Sequence, residues 1–486
     1  MEDETIAVSD KLDYRNCSIE QLKLEVLIYL KDDRHISTEI LVDYLKTNNK
    51  FYTIRDDDKE EVWAYQNGIY IPNGITIIKE KIREILGDLT SPQIMNSVVF
   101  KIEIDTYIDQ KKFFDNNIKE EIVVENGILN LITHELTPYT DEKIFFTKIP
   151  HTYNADAECP AITKFLTEVL KNDEDLPVIQ ELFGYLLWKE YNIERAIMLI
   201  GNGRNGKSKC MDLMKRFIGA ENCSSVKLQN LEGDNFNCES LHKRLANLCG
   251  DIDDKALKYT GSFKELTGRD LIMANRKFKK PVHFENFAKL VFSANQLPKT
   301  HDISEAFFMR WIILEFPFTF VKQEEFDESQ NFFTKLRDPD IINKITTDEE
   351  MSGLLNWSLI GLKRLHELKD FSFNKSTQEV RKMWIRKSDS FKAFVMDKVK
   401  EGFGLSIEKG DLRQHYHQYC IENDLKPVGD KSITYTLTTE HGAYDKQVRI
   451  DDERVRVWMG IDVKKDGEDE DTDQSKLDKL NNREED

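Results

Sequence analysis

Apolar and polar positions along the chain follow two different periods, and the change-overs divide it. Leu22, Leu24, Val26 and Leu27 give residues 18–29 a helical spacing, and a second helix is expected over 37–46, with a serine cap before Glu39. From Phe51 to Ile71 the period shortens. Phe51-Tyr-Thr-Ile, Val62-Trp-Ala-Tyr and Ile69-Tyr-Ile-Pro read as strands, separated by Asp56-Asp-Asp and the hairpin signal Asn67-Gly68. Helical spacing returns over 75–86. A strand-rich patch follows at 122–131 around Asn126-Gly127, and then a helical stretch at 161–190.

Between about 195 and 320 the texture is that of an alternating α/β core, with short apolar strands around 196–200, 245–251, 289–294 and 311–316. A helical stretch at 346–387 leads into a compact module. That module reads helix (391–400), helix (409–422), helix (432–440) and two strands (443–450 and 455–461), which is winged-helix order. No internal repeat is visible. The pattern divides the chain into an N-terminal helical and short-strand region (1–120), a helical domain (121–194), an α/β core (195–345), a helical connector (346–389), a winged-helix-like module (390–462) and a tail (463–486).

Composition narrows the class. With 486 residues, 40% hydrophobic, the chain is long enough for several domains with cores of their own. No apolar stretch approaches a membrane span, and the acidic start Met1-Glu-Asp-Glu-Thr lacks the features of a signal peptide. The expectation is a protein that stays where it is made, in a host cytoplasm or at a viral replication site. Seven scattered cysteines without a C-x-x-C pair suggest reduced thiols. The formal charge of −19 excludes a protein that coats nucleic acid with its whole surface, so any such contact has to be local. The tail from Lys464 onward, with ten acids and five bases, is expected to be disordered.

The chemistry concentrates in the α/β core. Gly201-Asn202-Gly203-Arg204-Asn205-Gly206-Lys207-Ser208 fits G-x-x-x-x-G-K-[ST] at every fixed position. It follows the apolar run Arg195-Ala-Ile-Met-Leu-Ile and precedes a segment with helical spacing of Met211, Leu213, Met214 and Phe217. A strand, a glycine-rich turn and a helix start aim backbone N–H groups and a helix dipole at a polyphosphate. Lys207 then reaches the β/γ-phosphates and Ser208 reaches Mg²⁺. ATP and Mg²⁺ are the implied ligands.

Hydrolysis also needs an acid on a second strand. Leu245-Ala-Asn-Leu-Cys-Gly-Asp251-Ile-Asp253-Asp254 supplies one, with Asp251 the first choice and Asp253 the second, although an acidic turn after a strand is an ordinary feature. Leu290-Val-Phe-Ser-Ala-Asn295 ends a further strand in a polar amide suited to placing a water beside the γ-phosphate. In Phe308-Met-Arg310-Trp-Ile-Ile-Leu, Arg310 stands at the mouth of the next strand, either as a finger toward a neighbouring subunit's phosphate or in a surface ion pair.

A basic spike lies between these strands. Lys264 opens Lys-Glu-Leu-Thr-Gly-Arg-Asp, and Arg276-Lys277-Phe278-Lys279-Lys280 puts four cations in five residues, flanked by strand-like runs. The pattern suggests a β-hairpin with Lys279 and Lys280 near its tip. It suits a nucleic-acid backbone with Phe278 against a base, or is simply a solvated turn.

Taken together, these motifs resemble the superfamily 3 helicases, in their phage/plasmid and poxvirus-type primase-helicase branch. Upstream, Glu125-Asn126-Gly127-Ile-Leu, Tyr153-Asn-Ala-Asp156-Ala-Glu-Cys-Pro160 and Glu181-Leu-Phe-Gly184-Tyr185-Leu extend the resemblance, as does Val62-Trp-Ala-Tyr-Gln-Asn-Gly68-Ile-Tyr, so that it covers roughly residues 50–320.

The resemblance implies an α/β fold: a P-loop, AAA+-like ATPase core, a mostly helical N-terminal domain and a C-terminal winged-helix module. It further implies an ATP-driven replicative DNA helicase or translocase of a virus, plasmid or integrated element, acting as a homo-hexameric ring on single-stranded or forked DNA. By analogy Lys207, Ser208, Asp251 and Asn295 serve one side of each nucleotide and Arg310 the other. Lys264, Arg276, Lys277, Lys279 and Lys280 belong to the DNA-contacting region. Two positions depart from the family, which often has Glu at 251 and Gly at 269. The short segment before residue 50 leaves no room for a primase domain, so a stand-alone helicase is expected, with a separate primase or polymerase as a partner. The alternative is an ATP-dependent switch or assembly protein whose winged helix binds DNA or a partner without unwinding.

Overall fold

A computed structural model describes residues 13–30, 33–54, 60–114, 118–231, 235–252, 255–276, 279–326, 333–423, 425–450 and 453–464. The chain falls into two compact units. One comprises 1–251, 261–293 and 314–373; the other comprises 252–260, 294–313 and 374–486. The acidic tail beyond Lys464 lies outside the described residues.

The first unit starts with helices α1 (Ile19–Leu30) and α2 (Arg34–Asn48), the second capped by Asp33, whose carboxylate accepts from His35 N and Ile36 N. Strands β1 (Phe51–Ile54), β2 (Glu61–Gln66) and β3 (Ile69–Pro72) form an antiparallel meander turning at Asn67-Gly68, both at positive φ. Helices α3 (Gly74–Leu86) and α4 (Pro92–Asp105) follow, then β4 (Tyr107–Ile108), which joins β1 in parallel, and α5 (Gln110–Phe114). One apolar core is shared by α1–α4. A second is aromatic: Trp63, Tyr70 and Phe113 are buried with Phe114 and Phe146 packed against them. Strands β5 (Glu121–Val124), β6 (Gly127–Asn130) and β7 (Leu136–Thr137) make a small sheet.

The helical run expected over 161–190 is two helices, α6 (Pro160–Val169) and α7 (Asp175–Leu187). Next come β8 (Ala196–Ile200), α8 (Lys207–Ile218), β9 (Cys223–Ser224), α9 (Asn235–Glu239), β10 (Ala246–Cys249), α10 (Gly261–Thr267), the hairpin β11 (Leu271–Arg276) and β12 (Lys279–Glu285), β13 (Lys289–Ala294), α11 (Glu305–Phe308) and β14 (Trp311–Glu315). Five of these strands form one sheet in the order β14-β8-β13-β10-β9, with β9, β10 and β13 mutually parallel. Every residue of β8, β10 and β13 is buried, as strands covered on both faces require, including the polar Asn247, Lys289 and Ser293. This is a mixed α/β architecture.

Short strands β15 (Thr319–Val321) and β16 (Thr334–Leu336) pair in parallel, and helices α12 (Ile341–Ile345) and α13 (Asp348–Leu368) complete the unit. Helices α7 and α13 cross at backbone contact. A Cβ on Gly184 would stand 2.6 Å from Leu362 N, and one on Gly361 would meet the Gln180 carbonyl. Arg364 of α13 bridges to the fully buried Glu181 of α7. The carboxylate of Glu350 caps α6 by accepting from Ala161 N and Ile162 N at 3.1 and 3.0 Å.

In the second unit, α14 (Thr377–Ser388) begins with a Ser376/Glu379 capping box. Then follow α15 (Ser390–Lys398), β17 (Val399–Glu408), α16 (Lys409–Glu422), α17 (Asp430–Tyr435), β18 (Tyr444–Ile450) and β19 (Glu453–Val463), with sheet order β17-β19-β18. The strand after α15 was not anticipated: the apolar spacing of 391–400 runs into β17, whose register slips across Gly402-Phe-Gly-Leu. Among the described residues no helix is long and apolar enough to cross a membrane.

Candidate phosphate-binding site

The Gly201–Ser208 segment leaves the buried end of β8 and enters α8 within one turn. Gly206 caps α8 at φ +91°, a left-handed conformation that side chains rarely adopt, and a Cβ there would stand 2.6 Å from Val169 Cγ1. Gly201 is constrained by space instead: a Cβ would run into the Asn205 amide and the Phe316 carbonyl. Gly203 and Arg204 also have positive φ, at +77° and +48°. Successive backbone N–H groups in such a turn, at a helix N-terminus, make an anion-binding concavity. Asn202 and Ser208 are exposed on this loop.

Two side chains hold it from within. Asn205, 4% exposed, donates from Nδ2 to the Phe316 carbonyl at 3.2 Å, tying the loop to the exit of β14. Lys207, 3% exposed, folds its ammonium back onto the Gly201 carbonyl and Asn205 Oδ1, the latter at 3.2 Å. Burial pulls its pKa from 10.5 down to about 8, and the charge of Asp251 opposes that shift. Asp251 follows the end of β10 at φ +52° and is exposed. The structure thus brings Lys207 and Asp251 together beside the loop. Asp253 lies outside the described residues.

The segment after β14 also wraps the loop. Phe316 N donates to Ile200 O at 2.8 Å, Phe320 N donates to Arg204 O at 2.7 Å, and the Arg204 guanidinium pairs with Glu325 at 3.1 Å. None of these partners is visible in a local motif, because the wrap depends on strand order in the sheet.

Asn295 and Arg310 belong to the second unit. Asn295 is the first residue beyond β13 and is exposed. The residues after it are tied to α14: Leu297 N donates to Lys387 O at 3.0 Å and Trp384 Nε1 to Pro298 O at 2.9 Å. Arg310 is half-buried, and its guanidinium donates to the Ala306 carbonyl of α11. The same Trp384 packs on Phe307 at 5.2 Å and on Trp311 at 5.1 Å, so one indole steadies the flanks of both candidate residues.

The basic spike is a hairpin. β11 and β12 pair antiparallel from Leu271↔Glu285 to Arg276↔Lys279, with a register shift between Ala274 and Arg276. Lys277 and Phe278 lie outside the described residues; Arg276, Lys279 and Lys280 are on the strand ends beside them. Lys264 is half-buried on α10, whose last turn is held by the buried Asn286 donating to the Leu266 carbonyl. Arg269, at φ +65°, pairs with Glu190 at 2.9 Å, and Lys119 shares that carboxylate at 3.0 Å. This supplies a structural use for Arg269, which departs from the glycine often found there in the helicases that the sequence resembles.

Among the described residues no group of three or more His, Cys, Asp or Glu side chains is arranged to hold a metal ion. Mg²⁺ does not require one. It keeps several waters and takes one or two protein ligands alongside substrate phosphates, and the exposed Ser208 hydroxyl and Asp251 carboxylate fit that need.

Two family models match separate stretches of the chain. Residues 38–171 match a domain described as D5 N terminal like, and residues 199–310 match a family of unknown function, DUF5906. The chain therefore carries a D5 N-terminal-like domain ahead of the phosphate-loop segment. A helicase of Acanthamoeba polyphaga mimivirus (L207/L206), whose own assignment is provisional, is 27% identical over 171 residues, or 34% of this chain. The match spans only 18% of that protein's length. Among solved structures, the apo C-terminal region of NrS-1 is similar over 86% of this chain and 98% of its own, at 14% identity and a TM-score of 0.43. Its A form gives 13% and 0.42.

Proposed function

We propose that the chain is an ATP-dependent DNA helicase or translocase of superfamily 3 type, working in replication of a virus, plasmid or integrated element. The observation that carries the reading is the loop between β8 and α8, which opens α8 at a left-handed Gly206 and folds the buried Lys207 ammonium onto its own Gly201 carbonyl and Asn205 Oδ1, with the exposed Asp251 carboxylate nearby. Support also comes from the D5 N-terminal-like match and from the mimivirus relative.

In this reading the loop N–H groups and Lys207 bind the β- and γ-phosphates, the ammonium moving from Asn205 Oδ1 to phosphate oxygen. Ser208 and Asp251 would hold Mg²⁺, which would supply neutralisation of phosphate charge. Asp251 also orients the attacking water, and Asn295 has the role that the helicase resemblance implies, positioning that water beside the γ-phosphate. Arg310 serves the nucleotide of the next subunit in a homo-hexameric ring. Lys264, Arg276, Lys277, Lys279 and Lys280 line the path of single-stranded DNA. The α15-β17-α16-α17-β18-β19 order supports a winged-helix module at the C-terminus, and the sheet order β14-β8-β13-β10-β9 supports an AAA+-like core.

The test is ATP turnover by the purified chain, with and without single-stranded DNA, alongside unwinding of a forked duplex. Turnover accelerated by the single strand, together with unwinding, is expected. Turnover indifferent to DNA would leave a switch or assembly ATPase, and no turnover at all would end the reading.

A further inference from the structure

Lys243 is enclosed by aromatic rings from a distant part of the chain. It lies in the turn between α9 and β10, and its ammonium is 3.3 Å from the ring centre of Phe114, 4.1 Å from that of Phe146 and 4.8 Å from that of Trp63. The rings also pack on one another: Trp63 with Phe114 at 5.6 Å, Trp63 with Phe146 at 5.4 Å, and Phe114 with Phe146 at 5.7 Å. A cation over one ring is an ordinary contact; three faces around one ammonium make a socket. The backbone supports this. Lys243 has φ +60°, a conformation costly for a residue with a Cβ and kept only where its surroundings over-determine it.

The neighbours of Lys243 make the turn a junction. His242 packs its ring on Phe284 of β12 at 4.8 Å, which joins the turn to the basic hairpin. Arg244 donates to the Glu221 carbonyl, and Leu245 N donates to Asn222 O at 2.8 Å. Ala246 then opens β10, the strand that leads to Asp251. Hairpin, acid-bearing strand and N-terminal aromatic box therefore meet within five consecutive residues.

We infer that Lys243 is a positioning residue: seated in the Trp63–Phe114–Phe146 socket, it fixes the turn through which the hairpin and the Asp251 strand are held in register. Its effect on turnover rests on the ATPase reading above; the seat itself does not. Without the seat, the 240–245 turn relaxes toward negative φ, and movement of the hairpin is no longer transmitted along β10.

Three variants separate this from simple packing. Lys243→Met keeps the length and removes the charge, Lys243→Arg keeps the charge, and Phe146→Leu removes one ring while retaining apolar volume. Two readouts are needed: amide hydrogen exchange of residues 240–249 in the nucleotide-free protein, and stimulation of ATP turnover by single-stranded DNA. In Lys243→Met and Phe146→Leu, exchange across 240–249 should rise about tenfold, the change expected if the cation–ring contacts hold the turn closed. DNA stimulation should fall several-fold while basal turnover stays near that of the parent, and Lys243→Arg should restore both.

Parent-like exchange in Lys243→Met overturns the inference, as does equal damage in Lys243→Arg and Lys243→Met, which would mark mere space-filling. Should Lys243→Met fail to fold, Phe146→Leu against Lys243→Arg decides the same question. If the parent itself shows no ATP turnover, the functional reading falls, and the exchange measurement alone decides the seat.

Discussion

Lys207 and Lys289 are both almost wholly buried, at 3% and 1% exposure, yet they are provided for in opposite ways. Lys289, the first residue of β13, donates to the Trp188 and Phe287 carbonyls at 2.6 and 2.7 Å and lies 4.3 Å over the Tyr185 ring. Its surroundings are complete and come from the fold itself, and burial drives its pKa well below 10.5. Lys207 donates to atoms of its own loop, the Gly201 carbonyl and Asn205 Oδ1, with the charge of Asp251 nearby. Its pKa falls only to about 8. A buried lysine with a finished set of partners holds strands together. On the proposed function, one held within a glycine-rich loop is kept for a charge that arrives.

The largest effects should come from exchanging each lysine for methionine. Lys207→Met should weaken binding of a nucleoside triphosphate and slow its hydrolysis by about a hundredfold or more, the loss typical of an electrostatic group serving the transition state. Its thermal midpoint should hold or rise, because a buried ammonium whose desolvation pulls its pKa down to about 8 is removed. Lys289→Met should do the reverse. The buried Trp188 carbonyl and the part-buried Phe287 carbonyl lose their donor, at about 1–3 kcal/mol for an orphaned buried group, so unfolding should come several degrees earlier while the folded protein still binds nucleotide like the parent. Calorimetric unfolding and fluorescent-nucleotide titration of both variants check the pair. A destabilised Lys207→Met with intact binding would erase the distinction.

A smaller effect is expected in pH dependence. The folded-state pKa of Lys207 is depressed, so between about 8 and 10.5 the unfolded chain keeps a proton that the folded chain has lost, and stability contributed here rises with pH across that window. Phosphate restores the proton. Nucleotide affinity should therefore fall by up to about tenfold per pH unit above 8, with proton uptake measurable by titration calorimetry in buffers of different ionisation heat. Lys289, equally buried with and without ligand, should add nothing, and Lys207→Met should abolish the uptake.

Asp251→Asn gives the smallest change on this axis. The carboxylate raises the lysine's pKa, so its loss should move the uptake window to lower pH, screened by the exposure of Asp251. An unmoved window would mean that the two groups are not electrostatically linked.

The part of this comparison written in the sequence is the part carried by neighbours in the chain. A strand, a glycine turn and a helix start specify one another locally, and so do the hairpin flanks at Ile272 and Val282. Lys289 gave no signal, since its partners Trp188 and Tyr185 lie a hundred residues upstream. The wrap of Phe316, Phe320 and Glu325 around the loop, and the Lys243 socket, are invisible for the same reason: both are set by which strands end up adjacent. Helix α4 is a different miss. Its Ser91 cap and Pro92 at the first position are standard start signals, but its mixed outer face, with Phe100 and Ile104 exposed, blurs the periodicity. Strand β17 was hidden because α15 hands over to it without a turn residue.

The crossing of α7 and α13 bears on how such a chain can change over generations. Any codon change at Gly184 or Gly361 that alters the residue adds at least one carbon where the partner helix already has a peptide group. The exposed positions of α13, such as Ile360 and Leu368, are free to drift, while the point where it touches the buried α7 is closed to every one-step mutation at these glycines. Lineages that diverge widely elsewhere should inherit this pair of glycines together, or replace both helices at once.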